Sequence, residues 1–495
     1  MSGGLSVRAA AREAPAGNAL IDEGRAMNWA ELALRVDRTR NALRRRLDGV
    51  TAPVVAIAGG TGPEAVCSLL ALLEAELSFV LLHPRWTRLE RERALAAAGA
   101  CLTIESGGAL TAAPGPAASG NRGGERGAGI VFTSGTTGAP RGVVLSRAAL
   151  LASAEGHAGA LRWVAADRWL LSLPMAHVGG LMIVVRCLRA RRALVIGGRR
   201  PTGSFDPDET LRVVESDRVT LLSVVPTMLA RLVESDRRPP PSLRAVLVGG
   251  AAAPASLMER ARTRGWPVLA TYGLTEACSQ VATERPSGLR GGAGPAVPGV
   301  EVAIGGADAG PRADAGSRRD GDAAGHAGSI LIRGPVLFDG YLGDEPGALL
   351  DRPFDADGWF DTGDIGSLDD RGRLRVVGRR SDRIVTGGEN VDPAEVEGAL
   401  LEWSGAAEAC VVGLEDEEWG ERVGAVLVPA AGFEALGGLA GLRRHLGGRL
   451  AGFKRPRRWR VVDGLPLAAS GKVDRGACVR LLVESPGPRA GREGQ

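Results

Sequence analysis

The apolar positions between residues 53 and 104 fall into two kinds of row. The segments 54–58, 79–82 and 101–104 are short apolar or β-branched runs, too short for helices. Between them, the segment opening at Pro63 and the one containing Arg88 to Ala98 read as helices. Strands alternating with helices in this way predict a parallel sheet with helices on its faces. The pattern returns downstream. A strand at 219–225 is followed by Pro226, where a helix would start. A strand at 244–248 runs into a Gly249-Gly250-Ala251 turn, then come a helix from about Pro254 and a strand at 268–271.

The remaining segments are predicted in the same way. Residues 1–50 read as an amphipathic helix or two, with Trp29 and Val36 on the apolar face. Ser146 is the expected N-cap of a helix running to about Leu161. Residues 106–128 and 303–328 lack apolar periodicity and read as a flexible connection and a mobile loop. A polar, glycine-rich stretch near Ser381 marks a domain boundary, and Asp392-Pro393 with Glu395 starts a helix. Beyond it, strands near 408–413, 422–428 and 457–462 and helices near 393–403 and 435–450 predict an α+β unit. The expected division is 1–380, 381–484 and a disordered tail over 485–495.

Composition narrows the class. A chain of 495 residues with 44% hydrophobic content buries enough for more than one domain. A net charge of +4 is too small to point to nucleic acid or an anionic membrane. The six cysteines form no Cys-x2-Cys pair and the five histidines are scattered, which speaks against a zinc site or a disulfide framework. The first residues lack the apolar segment of a signal peptide, and the apolar run 65–82 is broken by Glu74 and Glu76. A soluble cytoplasmic enzyme without an integral membrane segment is expected; a homo-oligomer is compatible with the sequence. Of 61 basic residues, all but Lys454 and Lys472 are arginine. A lysine retained in such a chain either needs a compact ammonium or survives by chance.

Four stretches carry candidate chemistry. The strand-like run Ile130-Val131-Phe132-Thr133 breaks into Ser134-Gly135-Thr136-Thr137-Gly138 and closes with Pro140-Arg141-Gly142. Glycines among hydroxyls turn backbone N–H groups inward, which suits phosphate oxygens. A Walker loop is excluded, because no Lys-Ser/Thr leads into a helix; a surface turn is the plain alternative. The Gly249 turn and Tyr272-Gly273-Leu274-Thr275-Glu276 fall at the carboxyl ends of predicted parallel strands, where ligands sit in open sheets. Tyr272 offers a flat face for a base, Thr275 a donor, and Glu276 oxygens for Mg²⁺. Asp361 and Asp364 flank a Thr362-Gly363 turn, where a carboxylate could bind ribose hydroxyls or close an Asx turn. His177 lies between two apolar segments, as a catalytic or a structural histidine.

Taken together, SGTTGAPRG (134–142), YGLTE (272–276), DTGD (361–364), GRRSDRIVTGGENVDPAEVE (378–397) and ASGKVDR (469–475) resemble, in order, the motifs of the adenylate-forming superfamily. That superfamily holds acyl-CoA synthetases, firefly luciferase and peptide-synthetase adenylation domains. The resemblance implies an α/β fold with parallel-rich sheets layered with helices, a small β subdomain and a small mobile α+β C-terminal domain. It implies that Thr133, the loop 134–138 and Arg141 hold the β- and γ-phosphates of ATP. Gly249, Gly250, Ala251, Tyr272 and Gly273 would hold adenine. By the same resemblance Thr275 touches the α-phosphate, Glu276 binds Mg²⁺, and Asp364 with Arg379 grips the ribose. Lys472 reaches the carboxylate and α-phosphate, which decides its reading in favour of function. Ser381 is the hinge, and Gly387, Gly388 and Lys454 face CoA. The loop departs from the usual Pro-Lys-Gly at Arg141, and Ser381 stands where many relatives have Asp or Lys.

YGLTEACSQVAT, PMAHVGGL and LVGGAAAPASL look most like the o-succinylbenzoate–CoA ligases of menaquinone synthesis. The other readings are a medium-chain fatty acid or aryl acid ligase, a stand-alone domain loading a carrier protein, and a nucleotide-binding protein without catalysis. The expected small molecules are a carboxylic acid, ATP with Mg²⁺, and CoA. No residue is assigned to the second carboxylate of o-succinylbenzoate.

Overall fold

The computed structural model describes residues 2–58, 60–113, 129–133, 141–197, 205–235, 237–286, 291–306, 326–343, 348–386, 389–416, 419–468 and 471–484. Two eight-stranded sheets form the bulk of the chain. In the first, Val268–Leu274, Ala245–Val248, Leu221–Val224, Arg168–Leu170, Ala193–Ile196 and Asn18–Asp22 lie side by side and parallel. Antiparallel strands Ser279–Thr283 and Arg25–Asn28 close its two edges. The second has a parallel centre, Gly129–Thr133, Ser78–Leu82, Val54–Ala58 and Leu102–Ile104, with antiparallel strands on both sides.

These central strands are apolar on both faces because helices cover both. The helix Pro63–Ala75 is buried at every residue from 65 to 73, and Val178–Ala190 at every residue from 180 to 188. One apolar cluster runs from Leu20 and Trp169 in the first sheet, through Leu69 and Met182, to Ile57 and Phe79 in the second. The two sheets therefore share a core and hold each other's strand ends at fixed positions. Helix starts follow the expected chemistry: Ser146 accepts from the Ala149 N–H, and Asp392 from the Ala394 N–H.

A third, antiparallel sheet contains Gly294–Pro295, Arg373–Arg379, Phe360–Leu368, Gly328–Arg333 and Glu301–Gly305. A fourth sheet joins Ile384–Thr386 and Glu389–Val391 to the long hairpin Ala406–Asp416 and Gly420–Pro429, with Arg458–Val461 parallel to the latter. The one-turn helix Arg380–Asp382, which contains Ser381, lies between the third and fourth sheets in the chain.

Several expectations need correction. Residues 1–50 are more than helices: Asn18–Asp22 and Arg25–Asn28 form a hairpin, turned at Glu23 and Gly24, both at positive φ. Its buried Ala19, Leu20 and Ile21 are too few to stand out from the helical rows beside them. The stretch 106–128 contains a strand, Leu110–Ala112, paired with Leu102–Ile104; residues 114–128 lie outside the described residues. Glu301–Gly305 and Gly328–Arg333 pair across the stretch 303–328, whose residues 307–325 lie outside too, as does the tail 485–495. The DTGD segment lies within the strand Phe360–Leu368, where an Asx turn at Asp361 and Gly363 at φ +73 bend it. The strand expected at 268–271 runs on to Leu274, because Ser279–Thr283 folds back and pairs with it. The helix expected over 435–450 is shorter, Gly438–Gly447.

Candidate active site

Side chains from all four parts of the fold meet beyond the carboxyl end of Ala245–Val248 and along the return of Val268–Leu274. Gly249 and Gly250 leave the first of these strands, with Gly250 at φ +80. A Cβ on Gly249 would lie 2.3 Å from the Thr271 hydroxyl oxygen, so the turn packs flat against the neighbouring strand. At Gly273 the limit is harder. A Cβ there would lie 1.7 Å from the Ser279 carbonyl oxygen, at the register shift between Tyr272 and Gly273. Gly273→Ala is expected to displace the whole return; soluble yield and thermal melting of the variant check this, and a wild-type melting point would contradict it.

Tyr272 is buried, and its hydroxyl donates to Asp364 Oδ2 at 2.6 Å. Burial, then the Asp364 carboxylate, raise the phenol's pKa well above its ordinary value, so it remains a donor. Arg379 Nε stands 3.0 Å from Asp364 Oδ1, so each carboxylate oxygen has its own donor. Asp364↔Arg379 is also a register pair between adjacent strands of the third sheet, which fixes the two opposite each other. Burial raises the Asp364 pKa, opposed by Arg379 and by the Tyr272 donor. The neighbouring Asp361 does something else: Oδ1 accepts from the Gly363 N–H at 2.9 Å, and Oδ2 pairs with Arg380 at 3.0 Å. Asp361 closes the Asx turn, and Asp364 is the one that faces Tyr272.

Thr275 and Glu276 lie in the one-turn helix Thr275–Ala277. The Glu276 carbonyl accepts from the Phe338 N–H at 2.8 Å, and its carboxylate Oε1 accepts from the Tyr341 hydroxyl at 2.9 Å. The Arg141 guanidinium lies over the Tyr341 ring, 3.7 Å from its centroid. Tyr341 was not singled out in the sequence, although GYLG (340–343) is one of its short glycine-containing patterns. The chain has two tyrosines, and both hydroxyls hold a carboxylate of this site.

Lys472 arrives from the C-terminal part at the tip of a small hairpin. Its carbonyl accepts from the Ala468 N–H, Leu467 bridges Val473, and Gly471 has φ +81. Lys472 Cε lies 3.9 Å from the place a Gly250 Cβ would occupy. Lys472 keeps solvent-exposed surface, yet protein crowds it closely enough that burial, and next the Arg379 guanidinium, lower its pKa, against Asp364 and Glu276. The ammonium therefore shares one cleft with Gly250, Arg379, Asp364 and Glu276. No group of three or more His, Cys, Asp or Glu suited to a metal exists among the described residues. A single carboxylate, Glu276, fits a Mg²⁺ that takes its other ligands from phosphates and water.

The other predicted residues are placed as follows. Thr133 ends its strand opposite Arg141. Ser134, Gly135, Thr136, Thr137, Gly138, Gly387 and Gly388 lie outside the described residues. Ala251 is exposed after the Gly249 turn. His177 precedes the helix Val178–Ala190, with its ring 5.0 Å from that of His83, a partner the sequence did not suggest. Lys454 Nζ pairs with both Glu395 oxygens at 2.7 Å. Ser381 is exposed and donates to Asp382.

Residues 7–122 and 116–342 match the family model described as AMP-binding enzyme, and residues 395–472 match AMP-binding enzyme C-terminal domain. The chain belongs to the AMP-binding enzyme family. Among members of that family, the 2-succinylbenzoate–CoA ligase of Bacillus licheniformis is 38% identical over 351 residues, 70% of this chain and 68% of that one. The indoleacetate–CoA ligase of Aromatoleum aromaticum is 37% identical over 363 residues, 72% of this chain and 67% of that one. The structure of o-succinylbenzoate CoA synthetase from Bacillus subtilis in complex with its acyl-adenylate intermediate matches with TM-score 0.80 at 30% identity, covering 99% of this chain and 98% of that one. ATP-bound MatB from Rhodopseudomonas palustris matches with TM-score 0.81 at 27% identity, over 97% and 99%. The AMP-binding fold was thus correctly expected. No described helix is long and apolar enough to cross a membrane.

Proposed function

We propose that this AMP-binding enzyme is an ATP-dependent ligase that joins o-succinylbenzoate to CoA. A carboxylate of the acid attacks the α-phosphorus of ATP, giving an acyl-adenylate and diphosphate. The CoA thiol then attacks the acyl carbon, and AMP leaves. The observation that carries the reading is Lys472 in the cleft beside Gly250, Glu276, Asp364 and Arg379. Two anions have to meet in line, and an ammonium reaching both lowers their repulsion and fixes their approach. Asp364, oriented from both sides, accepts from ribose hydroxyls. Thr275 donates to the α-phosphate, and Arg141 adds charge at the outer phosphates. Glu276 would hold the Mg²⁺ that ATP carries, and the ion would neutralise charge on the phosphate oxygens.

The choice of acid is supported by the 2-succinylbenzoate–CoA ligases among the relatives and by the OSB-AMP complex of the Bacillus subtilis enzyme. For the division of the chain, residues 1–380 would carry ATP and acid. The unit 381–484 would turn about Ser381, withdrawing Lys472 so that Gly387 and Gly388 line the thiol's path, with Lys454 near CoA. Acid-dependent exchange of labelled diphosphate into ATP, across o-succinylbenzoate, indoleacetate and octanoate, tests the reading. O-succinylbenzoate is expected to give kcat/KM at least about 100-fold above the others, since a site built for a second polar group rejects acids lacking it. A higher value with indoleacetate or octanoate would overturn the substrate; exchange with none of them would overturn the class.

A further inference from the structure

Opposite charges in one cleft pair with each other unless something keeps them apart. Glu276 has cations on several sides: Lys472 and Arg379 both feel its charge, and Arg141 approaches from the phosphate-loop strand. A carboxylate joined to any of them has spent its charge and turned away from a metal; the cation has spent its charge as well. Tyr341 stands between Glu276 and Arg141 and touches both. Its hydroxyl donates to Glu276 Oε1 at 2.9 Å, and its ring carries the Arg141 guanidinium at 3.7 Å.

Sheet register puts it there. Gly340–Leu342 runs antiparallel to Arg141–Leu145, with Tyr341 opposite Val143. Arg141 lies two residues from Val143, hence on the same face and diagonal to Tyr341, within reach of a long side chain. The Phe338 N–H on the Glu276 carbonyl ties the backbone of the metal-facing turn to the same segment. Tyr341 is itself buried, with Phe338 edge-on at 4.8 Å, so the ring has little freedom. A phenol hydroxyl is an O–H donor, and here it is aimed at the carboxylate.

We propose that Tyr341 is a positioning residue that separates Glu276 from Arg141 while orienting both. A neutral donor fixes the carboxylate without consuming its charge, and an aromatic face holds the guanidinium without an acid. Glu276 thereby keeps an oxygen for Mg²⁺ and Arg141 keeps its N–H groups for phosphate. The proposal rests on the reading of Glu276 as the Mg²⁺ ligand.

The experiment is the Mg²⁺ and ATP dependence of acid-dependent diphosphate exchange in Tyr341→Phe, Tyr341→Leu, Glu276→Gln and the Glu276→Gln/Tyr341→Phe double variant, each checked for wild-type melting. Tyr341→Phe keeps the platform and loses the hydroxyl. It is expected to raise the Mg²⁺ needed for half-maximal rate about tenfold, with kcat at saturating Mg²⁺ and the KM for the acid within about twofold. Tyr341→Leu is expected to raise the ATP KM a further fivefold or so, through Arg141. The double variant is expected to match Glu276→Gln alone, because the hydroxyl acts through that carboxylate. If Glu276→Gln shifts the Mg²⁺ requirement and Tyr341→Phe does not, the role given to Tyr341 fails. If Glu276→Gln leaves the requirement unchanged, the metal reading of Glu276 fails first. Additive shifts in the double variant would likewise overturn the proposal.

Discussion

Lys472→Ala is expected to lower acid-dependent diphosphate exchange by about 10³-fold or more, while ATP binding changes by no more than a few-fold. In the proposed reaction the ammonium would stand where the two reacting anions meet, so its loss would remove an interaction that strengthens as the new bond forms. A single preorganised donor is worth about 10²–10³ in rate, and a full charge between two anions belongs at or above the upper end. Lys472→Arg is the more telling variant. Arginine fills nearly every other basic position of the chain, and the charge is conserved. A planar fork nevertheless spreads its charge over three nitrogens and cannot put one compact charge at the end of the stem whose Cε lies 3.9 Å from the Gly250 Cβ position. It is expected to retain less than about one thirtieth of the activity. The pH profile gives an independent check. Burial and Arg379 favour the neutral amine in the free enzyme. The active ammonium is therefore lost as pH rises, and kcat/KM should fall through a pKa lower than an ordinary lysine's. Lys472→Arg should remove that limb. Equal exchange rates in wild type and Lys472→Ala would defeat the assignment.

Much of this site was legible in the sequence, and the parts that were not share a cause. Gly249, Glu276 and Lys472 sit in compact motifs whose local pattern already places them at strand ends or turns, whereas Tyr272 and Asp364, expected past a strand end and in a turn, lie within the strands Val268–Leu274 and Phe360–Leu368. The parallel strands Val54–Ala58, Ser78–Leu82, Leu102–Ile104, Leu221–Val224 and Ala245–Val248 were legible for the same reason, being buried and bounded by helix signals, whereas Asn18–Asp22 and Ala193–Ile196 were not. Tyr341 was not, because its role depends on partners 65 residues back at Glu276 and still further back at Arg141. Only the register Tyr341↔Val143 brings them together, and no local periodicity encodes a register between distant strands. The pairing of His83 with His177 was hidden likewise, each ring being fixed by a different sheet or helix. Asp361 and Asp364 show a subtler limit. Both look suited to ribose in sequence, and the difference between them comes from Gly363 at φ +73, which turns Asp361 back on the Gly363 N–H and leaves Asp364 toward Tyr272.

That difference leads to the second large effect. Asp364→Asn is expected to raise the ATP KM about 30- to 100-fold, whereas Asp361→Asn should leave it within about threefold. The Asp364 side chain is only 8% exposed, and its two oxygens are met by Tyr272 and Arg379. An amide offers one acceptor and one donor group in place of two charged acceptors, so one of those partners faces an NH₂ instead of an oxygen. The same group would accept from the ribose, so recognition and scaffold fail together. The stability cost is expected near the lower end of about 1–3 kcal/mol, because Arg379 keeps half its surface open to water. Melting should therefore drop by only a few degrees, and a large KM change with a small melting change separates recognition from unfolding. Tyr272→Phe completes the comparison: the carboxylate remains but loses its second donor, for an expected rise of about fivefold in ATP KM. Acid-dependent diphosphate exchange measured over a range of ATP concentrations on the four proteins reads these values directly. If Asp361→Asn weakened ATP binding and Asp364→Asn did not, the two aspartates would have to exchange roles, and the site would be centred on Arg380 rather than on Arg379.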